Sequence, residues 1–270
     1  MKFLSFDAYV LKWIAVIGMI ANHVAIGLHA VLPLWALLPL YAAGGLTYVI
    51  MAYFVVEGYK YTSNLGKYIF RLLIFGVIAQ AFHPMVLGIT AMVPNFIFLN
   101  ILFTIILALI VLLLYDKIKI RFLFWILFIV ACIIATFMDL LFIGILVPVL
   151  YYAIKKESTR RTVPGVVSGI IFLVFGLLSS LPLLALYHTP GMEQEFLNIL
   201  ESTGMSMNLI LATPTFAIGC FLGAILIRNY NGDRGKPAKW LFYVAYPVHL
   251  AVIAAIGVAL GVISFSLFGF

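Results

Sequence analysis

The sequence predicts an all-α protein: a polytopic integral membrane helix bundle of about nine transmembrane helices. Three observations predict it. Of 270 residues, 66% are hydrophobic and 9% charged, where soluble domains carry roughly 45–50% and about 25%; the mean hydropathy is +1.22. Apolar runs near twenty residues, the length that crosses a bilayer, recur along the chain. Lys and Arg gather in alternate connections between those runs. So few polar residues cannot make a water-facing surface, and the 23 Phe, 14 Tyr and 4 Trp suit lipid-facing and interfacial positions.

The first run, Ala8–Leu28, follows Met1–Asp7 and has no small-x-small cleavage site, so it reads as a retained helix and not a cleaved signal. Leu38–Tyr59, Tyr68–Phe82, Asn95–Tyr115 and Phe122–Met138 follow, then the short Leu140–Ile154, because the stretch 121–154 must turn once, at Met138–Asp139. Val163–Tyr187, Asn208–Arg228 and Lys239–Phe265 complete the set within one domain, residues 1–270. The connections at 60–67, 116–121, 155–161 and 228–239 hold nearly all the Lys and Arg, and those at 29–37, 83–94, around 139 and 188–207 hold none. The positive-inside rule then puts the N-terminus in the cytoplasm and the C-terminus outside. It also accounts for the net charge of +7 without a nucleic-acid partner.

Cys132 and Cys220 stand alone in apolar runs and read as small buried hydrophobes. Gly165/Gly169, Gly219/Gly223 and Gly257/Gly261 are small-xxx-small pairs expected to pack helices. The connection His188–Met207 carries Glu193, Glu195 and Glu201, and its Phe196–Leu200 stretch is expected to lie amphipathically at the interface. No tandem repeat is visible.

Ionisable residues inside a membrane are costly and mark functional sites. Lys12, His23, Glu57, Arg71 and His249 stand out. Lys12 and His23 share the first helix; eleven residues bring the helix back to within about 20° of the same face, some 16–17 Å higher. One face therefore offers a cation near the cytoplasmic end and an imidazole deep in the membrane, against the plainer readings of a snorkelling lysine and a structural histidine. Glu57 and Arg71 are expected to pair, either structurally or for function. Asp139 falls at an outer turn. His249 follows Pro247, which is expected to kink a helix carrying Tyr243, Tyr246 and His249 along a polar cavity. His29, His83 and His188 fall near the outer mouth, but no H-x3-H or HExxH spacing supports a metal. The absence of a G-x-S-x-G elbow, Walker A loop or G-x-G-x-x-G sets aside serine hydrolases, NTPases and dinucleotide enzymes.

Three stretches resemble one family. LKWIAVIGMIANH (Leu11–His23), VVEGYKYTSNLGKYIFRLLIF (Val55–Phe75) and YNGDRG with WLFYVAYPVHL (Tyr230–Leu250) are similar to landmarks of the TraX family, membrane proteins named for the conjugal pilin acetylase. Asn100-Ile-Leu-Phe-Thr104 and the Asp139 turn fit as well. Two positions depart: the family's Asp before the histidine is Asn22 here, and the Arg and Pro of its second helix are Gly45 and Val49. The chain is also similar to the wider group of transmembrane acyltransferases, whose first helix carries a polar or basic residue eleven positions before a catalytic His.

The resemblance implies an acyltransferase of the bacterial cytoplasmic (inner) membrane that moves acetyl groups from cytosolic acetyl-CoA to an amine, on a peptide such as pilin or on a glycan. Lys12, Arg71, Asn231 and Arg234 are expected to hold the CoA phosphates. His23 is expected to act as general base, held by Asn22, with direct transfer or an acetyl-imidazole both open. His249 and Tyr246 are candidates for oxyanion or acceptor contacts. Glu57 and Asp139 join Tyr246 as candidate substrate contacts, Glu57 also holding Arg71. No metal is expected, and homo-oligomerisation stays open. The alternatives are a proton-coupled permease using His23, Glu57 and His249, and a non-enzymatic scaffold.

Overall fold

The computed structural model describes residues 5–88, 98–237 and 239–265. These form α1 (Ala8–Gly27), α2 (Leu34–Tyr61), α3 (Leu65–Gln80), α4 (His83–Leu87), α5 (Ile101–Lys117), α6 (Arg121–Ala135), α7 (Ile143–Ala153), α8 (Glu157–Tyr187), α9 (Glu193–Thr203), α10 (Met207–Ala212), α11 (Thr215–Arg228) and α12 (Lys239–Ala259). Among the described residues there is no strand, only isolated bridges at Phe6–Tyr230 and Leu99–Met138. The protein is therefore all-α. Five segments are long and apolar enough to cross a membrane: Ala8–Gly27, Leu34–Tyr61, Glu157–Tyr187, Met207–Arg228 and Phe242–Ala259. The other expected runs contain shorter helices, α3, α5, α6 and α7; residues 95–97 of the fourth run and 89–94 of the connection before it lie outside the described residues.

Local chemistry sets the ends. Asp7 accepts from the Val10 amide at 2.8 Å and Asn64 from the Lys67 amide at 2.8 Å, starting α1 and α3. α8 begins at Glu157, ahead of the expected Val163, because Glu157 pairs with Arg160 and Arg161 one turn on, each at 2.6 Å. The run expected over Asn208–Arg228 breaks between α10 and α11 at Thr213–Pro214, where a proline cannot donate into a continuous helix. The Phe196–Leu200 stretch lies within helix α9, whose Phe196 is its buried residue.

α2 is the central helix, packed on α1 and α11, with α8 behind α11. Glycines let these backbones approach closely. A β-carbon on Gly45 would meet the Phe216 carbonyl, and one on Gly219 the Ala42 carbonyl; Gly223 lies against Val49 and Gly165 against Ala224. The first two glycine pairs are packing faces, as expected. The third is not: Gly257 meets Ile263, and Gly261 takes φ +70° with open space around it, ending the helix.

Asn100 is fully buried and ties three segments together. Its amide donates to the Gly76 carbonyl at 2.8 Å and to Gln80 Oε1 at 2.9 Å, and its own oxygen accepts from the Leu102 amide at 3.1 Å. Asn100→Leu strands these groups in an apolar setting and is expected to cost about 2–3 kcal/mol, read as a lowered midpoint of unfolding in detergent.

Candidate functional site

Two cavities meet at the middle of the bundle. The first, about 710 Å³, is basic. Lys12 reaches it from α1, Lys67 and Arg71 from α3, and Arg234 and Lys236 from the loop after α11; the carboxylate among its lining residues is Glu57. These groups converge because α1 and α3 begin at the same end and the loop is laced to the start of α1. Phe6 donates to the Asn229 carbonyl at 3.2 Å, Asn231 to the Phe6 carbonyl at 2.9 Å and Ala8 to the Asp233 carbonyl at 2.8 Å. Lys12 Nζ lies 4.9 Å from the Phe54 ring centre. Arg71 Nε is 3.5 Å from the Tyr243 hydroxyl. Burial, and next the Glu57 carboxylate, hold the Tyr230 phenol above its usual pKa, keeping it a neutral donor at the cavity edge.

The second cavity, about 650 Å³, is mostly apolar and takes His23, Asn22, Tyr246 and Asp139 into its walls. Met51, Val55, Leu102, Ile105 and Phe242 line both cavities and form the partition between them. Lys12 and His23, on one face of α1, thus open into the basic cavity and the apolar one respectively.

Hydrogen bonding fixes the protonation of the two buried histidines. His249 Nδ1 lies 2.8 Å from the Ala245 carbonyl; a carbonyl only accepts, so Nδ1 carries the proton and Nε2 of the neutral ring is an acceptor. His23 Nδ1 lies 2.9 Å from the Met19 carbonyl and 3.2 Å from His249 Nε2, so its N–H is shared between those two acceptors. His23 Nε2 is left as a bare lone pair with no hydrogen-bond partner among the described residues. If His23 takes a proton there, the cation is steadied through Nδ1 by a carbonyl and a neutral imidazole, where a carboxylate stands in a Ser-His-Asp triad. The Tyr246 ring packs edge-on to His23 at 6.1 Å, and its buried hydroxyl meets no partner in hydrogen-bond geometry among the described residues.

Opposite the basic end, the turn between α6 and α7 presents Asp139. It is pinned from several sides: Leu99 donates to the Phe137 carbonyl at 2.9 Å, Asp139 to the Leu99 carbonyl at 3.0 Å, and the Thr104 hydroxyl to the Asp139 carbonyl at 2.9 Å. The next two residues, Leu140 and Leu141, sit at φ 63° and 49°, a left-handed conformation that costs a side-chain-bearing residue about 1–2 kcal/mol. His83, fully buried, holds Asp139 Oδ2 at 2.9 Å.

Several sequence-based expectations change. Glu57 does not pair with Arg71; its carboxylate lies 3.7 Å from Arg160, which the early start of α8 swings toward α2, and it lines the basic cavity. Asn22 does not hold His23; its amide donates to the Tyr41 carbonyl at 3.4 Å, in space left by Gly44. His249 stands behind His23 and is not among the residues lining either cavity. Asn231 turns inward to its own loop, accepting from the Asp233 amide at 2.8 Å. His29, His83 and His188 do not form a cluster, and among the described residues no group of three His, Cys, Asp or Glu is placed to hold a metal. Lys67, Lys236 and Arg160 were not singled out from the sequence; the first two lie within the family-like stretches, and the third follows Glu157 at helical spacing.

Comparison with known proteins gives a consistent picture. The family model described as "TraX protein" matches residues 7–257. The probable fimbrial assembly protein FimC, serogroup H1, of Dichelobacter nodosus is 27% identical over 264 residues, which cover 93% of this chain and 96% of that protein. No solved structure matches. A match running through the opening helix, both cavities and the His249 helix shows that this chain belongs to the TraX family.

Proposed function

We propose that the protein is an acetyltransferase of the bacterial cytoplasmic membrane, taking the acetyl group from cytosolic acetyl-CoA and placing it on an amine held in the apolar cavity. The observation that carries this reading is the bare Nε2 of His23 in the wall of an apolar cavity, across a partition from a polycationic one. Lys12, Arg71 and Arg234, with Lys67 and Lys236, supply charges suited to the phosphates of CoA. The pantetheine arm would pass the partition and bring the thioester to His23. Membership of the TraX family and similarity to a fimbrial assembly protein favour pilin, or another peptide amine, as acceptor.

In the chemistry proposed, the amine nitrogen forms a bond to the thioester carbon while the C=O pair moves onto oxygen. His23 Nε2 takes an N–H proton from that nitrogen. The C–S bond then breaks, the carbonyl re-forms, and the sulfur of CoA receives the proton from Nε2. The Tyr246 hydroxyl is the candidate donor to the transient oxyanion.

The reading is tested by thermal shift of the detergent-purified protein with acetyl-CoA. At a hundred times the dissociation constant a ligand stabilises by about 2.7 kcal/mol, so the melting temperature of the native protein and of His23→Ala is expected to rise. That of Lys12→Ala is expected to stay near its ligand-free value. A native protein that ignores millimolar acetyl-CoA would overturn the transferase reading.

A further inference from the structure

An amine reaching a cavity from neutral water arrives as an ammonium ion, and an ammonium nitrogen has no lone pair with which to attack. One proton must leave before His23 can act, and His23 has a single free nitrogen for the proton that leaves afterwards. The far end of the apolar cavity holds a second basic pair. Asp139 is the carboxylate in a lining otherwise free of Asp, Glu, Lys and Arg. Its Oδ2 accepts from His83 Nε2 at 2.9 Å, and its Oδ1 has no hydrogen-bond partner among the described residues. His83 is fully buried against Phe98, with Nδ1 also lacking a partner among the described residues. The strained turn at Leu140 and Leu141 and the Thr104 bond fix where the carboxylate sits. Strain of this kind persists where surrounding structure enforces it and clusters at functional sites.

We infer that Asp139, positioned by His83, receives the acceptor as its ammonium and removes the first of its two labile protons. This rests on the transferase reading above and adds a second base to it. The N–H bond of the ammonium breaks, its electron pair stays on nitrogen, and the proton forms an O–H bond at Asp139 Oδ1. The neutral amine then attacks the thioester, and the second proton follows the route through His23 to the CoA sulfur. The products are the acetamide, CoA thiol and one proton, which leaves the Asp139–His83 pair for water. His83 touches neither substrate; its Nε2–H holds Oδ2 so that Oδ1 is the free oxygen.

The test compares two acceptors of similar length on the full chain in lipid nanodiscs with radiolabelled acetyl-CoA. Dodecylamine is an ammonium at pH 7, whereas O-dodecylhydroxylamine is a neutral nucleophile that needs no prior proton removal. For the native protein both are expected to be acetylated. For Asp139→Asn the ratio of the amine rate to the hydroxylamine rate is expected to fall about 100-fold, with kcat taking the loss alongside KM. His83→Gln, whose amide can still donate to Oδ2, is expected to retain more of the ratio than His83→Leu. An unchanged ratio in Asp139→Asn and His83→Leu, or equal loss on both acceptors, would overturn the inference, since a purely structural role lowers both rates together. A native protein that shifts with acetyl-CoA yet acetylates neither probe would also overturn it while leaving donor binding standing; absence of the thermal shift would sink the transferase reading itself.

Discussion

His23→Ala is expected to lower acetyl transfer about 10³-fold while acetyl-CoA still raises its melting temperature. The proposed base is lost, but the cations proposed to hold the donor line the other cavity. His249→Leu removes the acceptor that shares the His23 Nδ1 proton and is expected to cost part of that factor. Because the two rings act as one unit, the double variant is expected to be little worse than His23→Ala alone. His249→Gln keeps an acceptor oxygen and is expected to recover part of the loss. Steady-state rates for the single and double variants, with thermal shift alongside, decide the matter. Wild-type turnover in His23→Ala would remove His23 from the chemistry.

Gly45→Val is expected to yield no correctly folded protein. Its branched side chain would fall on the Phe216 carbonyl at the crossing of α2 and α11, where both backbones are already in contact and neither can yield like the end of a flexible side chain. Gly45→Ala places a single carbon there and is expected to cost about 1–3 kcal/mol or more, the usual penalty of overfilling a packed site. Size-exclusion behaviour in detergent and the unfolding midpoint check both. The same geometry bears on the departure from the family pattern: an arginine has no room at position 45 in this packing, and the opposing Gly219 is matched to Ala42 in the same way.

Features carried by one helix were legible in the sequence. The apolar runs place the helices, and the 3.6-residue period stacks Lys12 below His23, because both depend on contiguous chain. Features joining distant helices were not. His23 and His249 are 226 residues apart, and nothing local says that two imidazoles will share a proton. Glu57 had two arginines within reach of the same end; only the observed start of α8 selects Arg160 over Arg71. Asn22 looked like a replacement for the family carboxylate because it precedes His23. Successive helical positions point about 100° apart, and its amide instead finds the Tyr41 carbonyl over Gly44. Asp139 was visible as a turn residue, but its weight comes from His83, on another helix and fully buried.

The apolar partition of Met51, Val55, Leu102, Ile105 and Phe242 has an electrical consequence. Under the proposed transfer, a polyanion enters from one side and an ammonium from the other, which would offer ions two half-channels, and each elementary charge crossing a membrane potential moves about 2.3 kcal/mol per 100 mV. Five apolar side chains between the half-channels provide no hydration for a bare ion or a file of protonated waters. In the proposed transfer, what passes the septum is a neutral acyl arm, so group transfer can proceed without discharging the cell's proton-motive force.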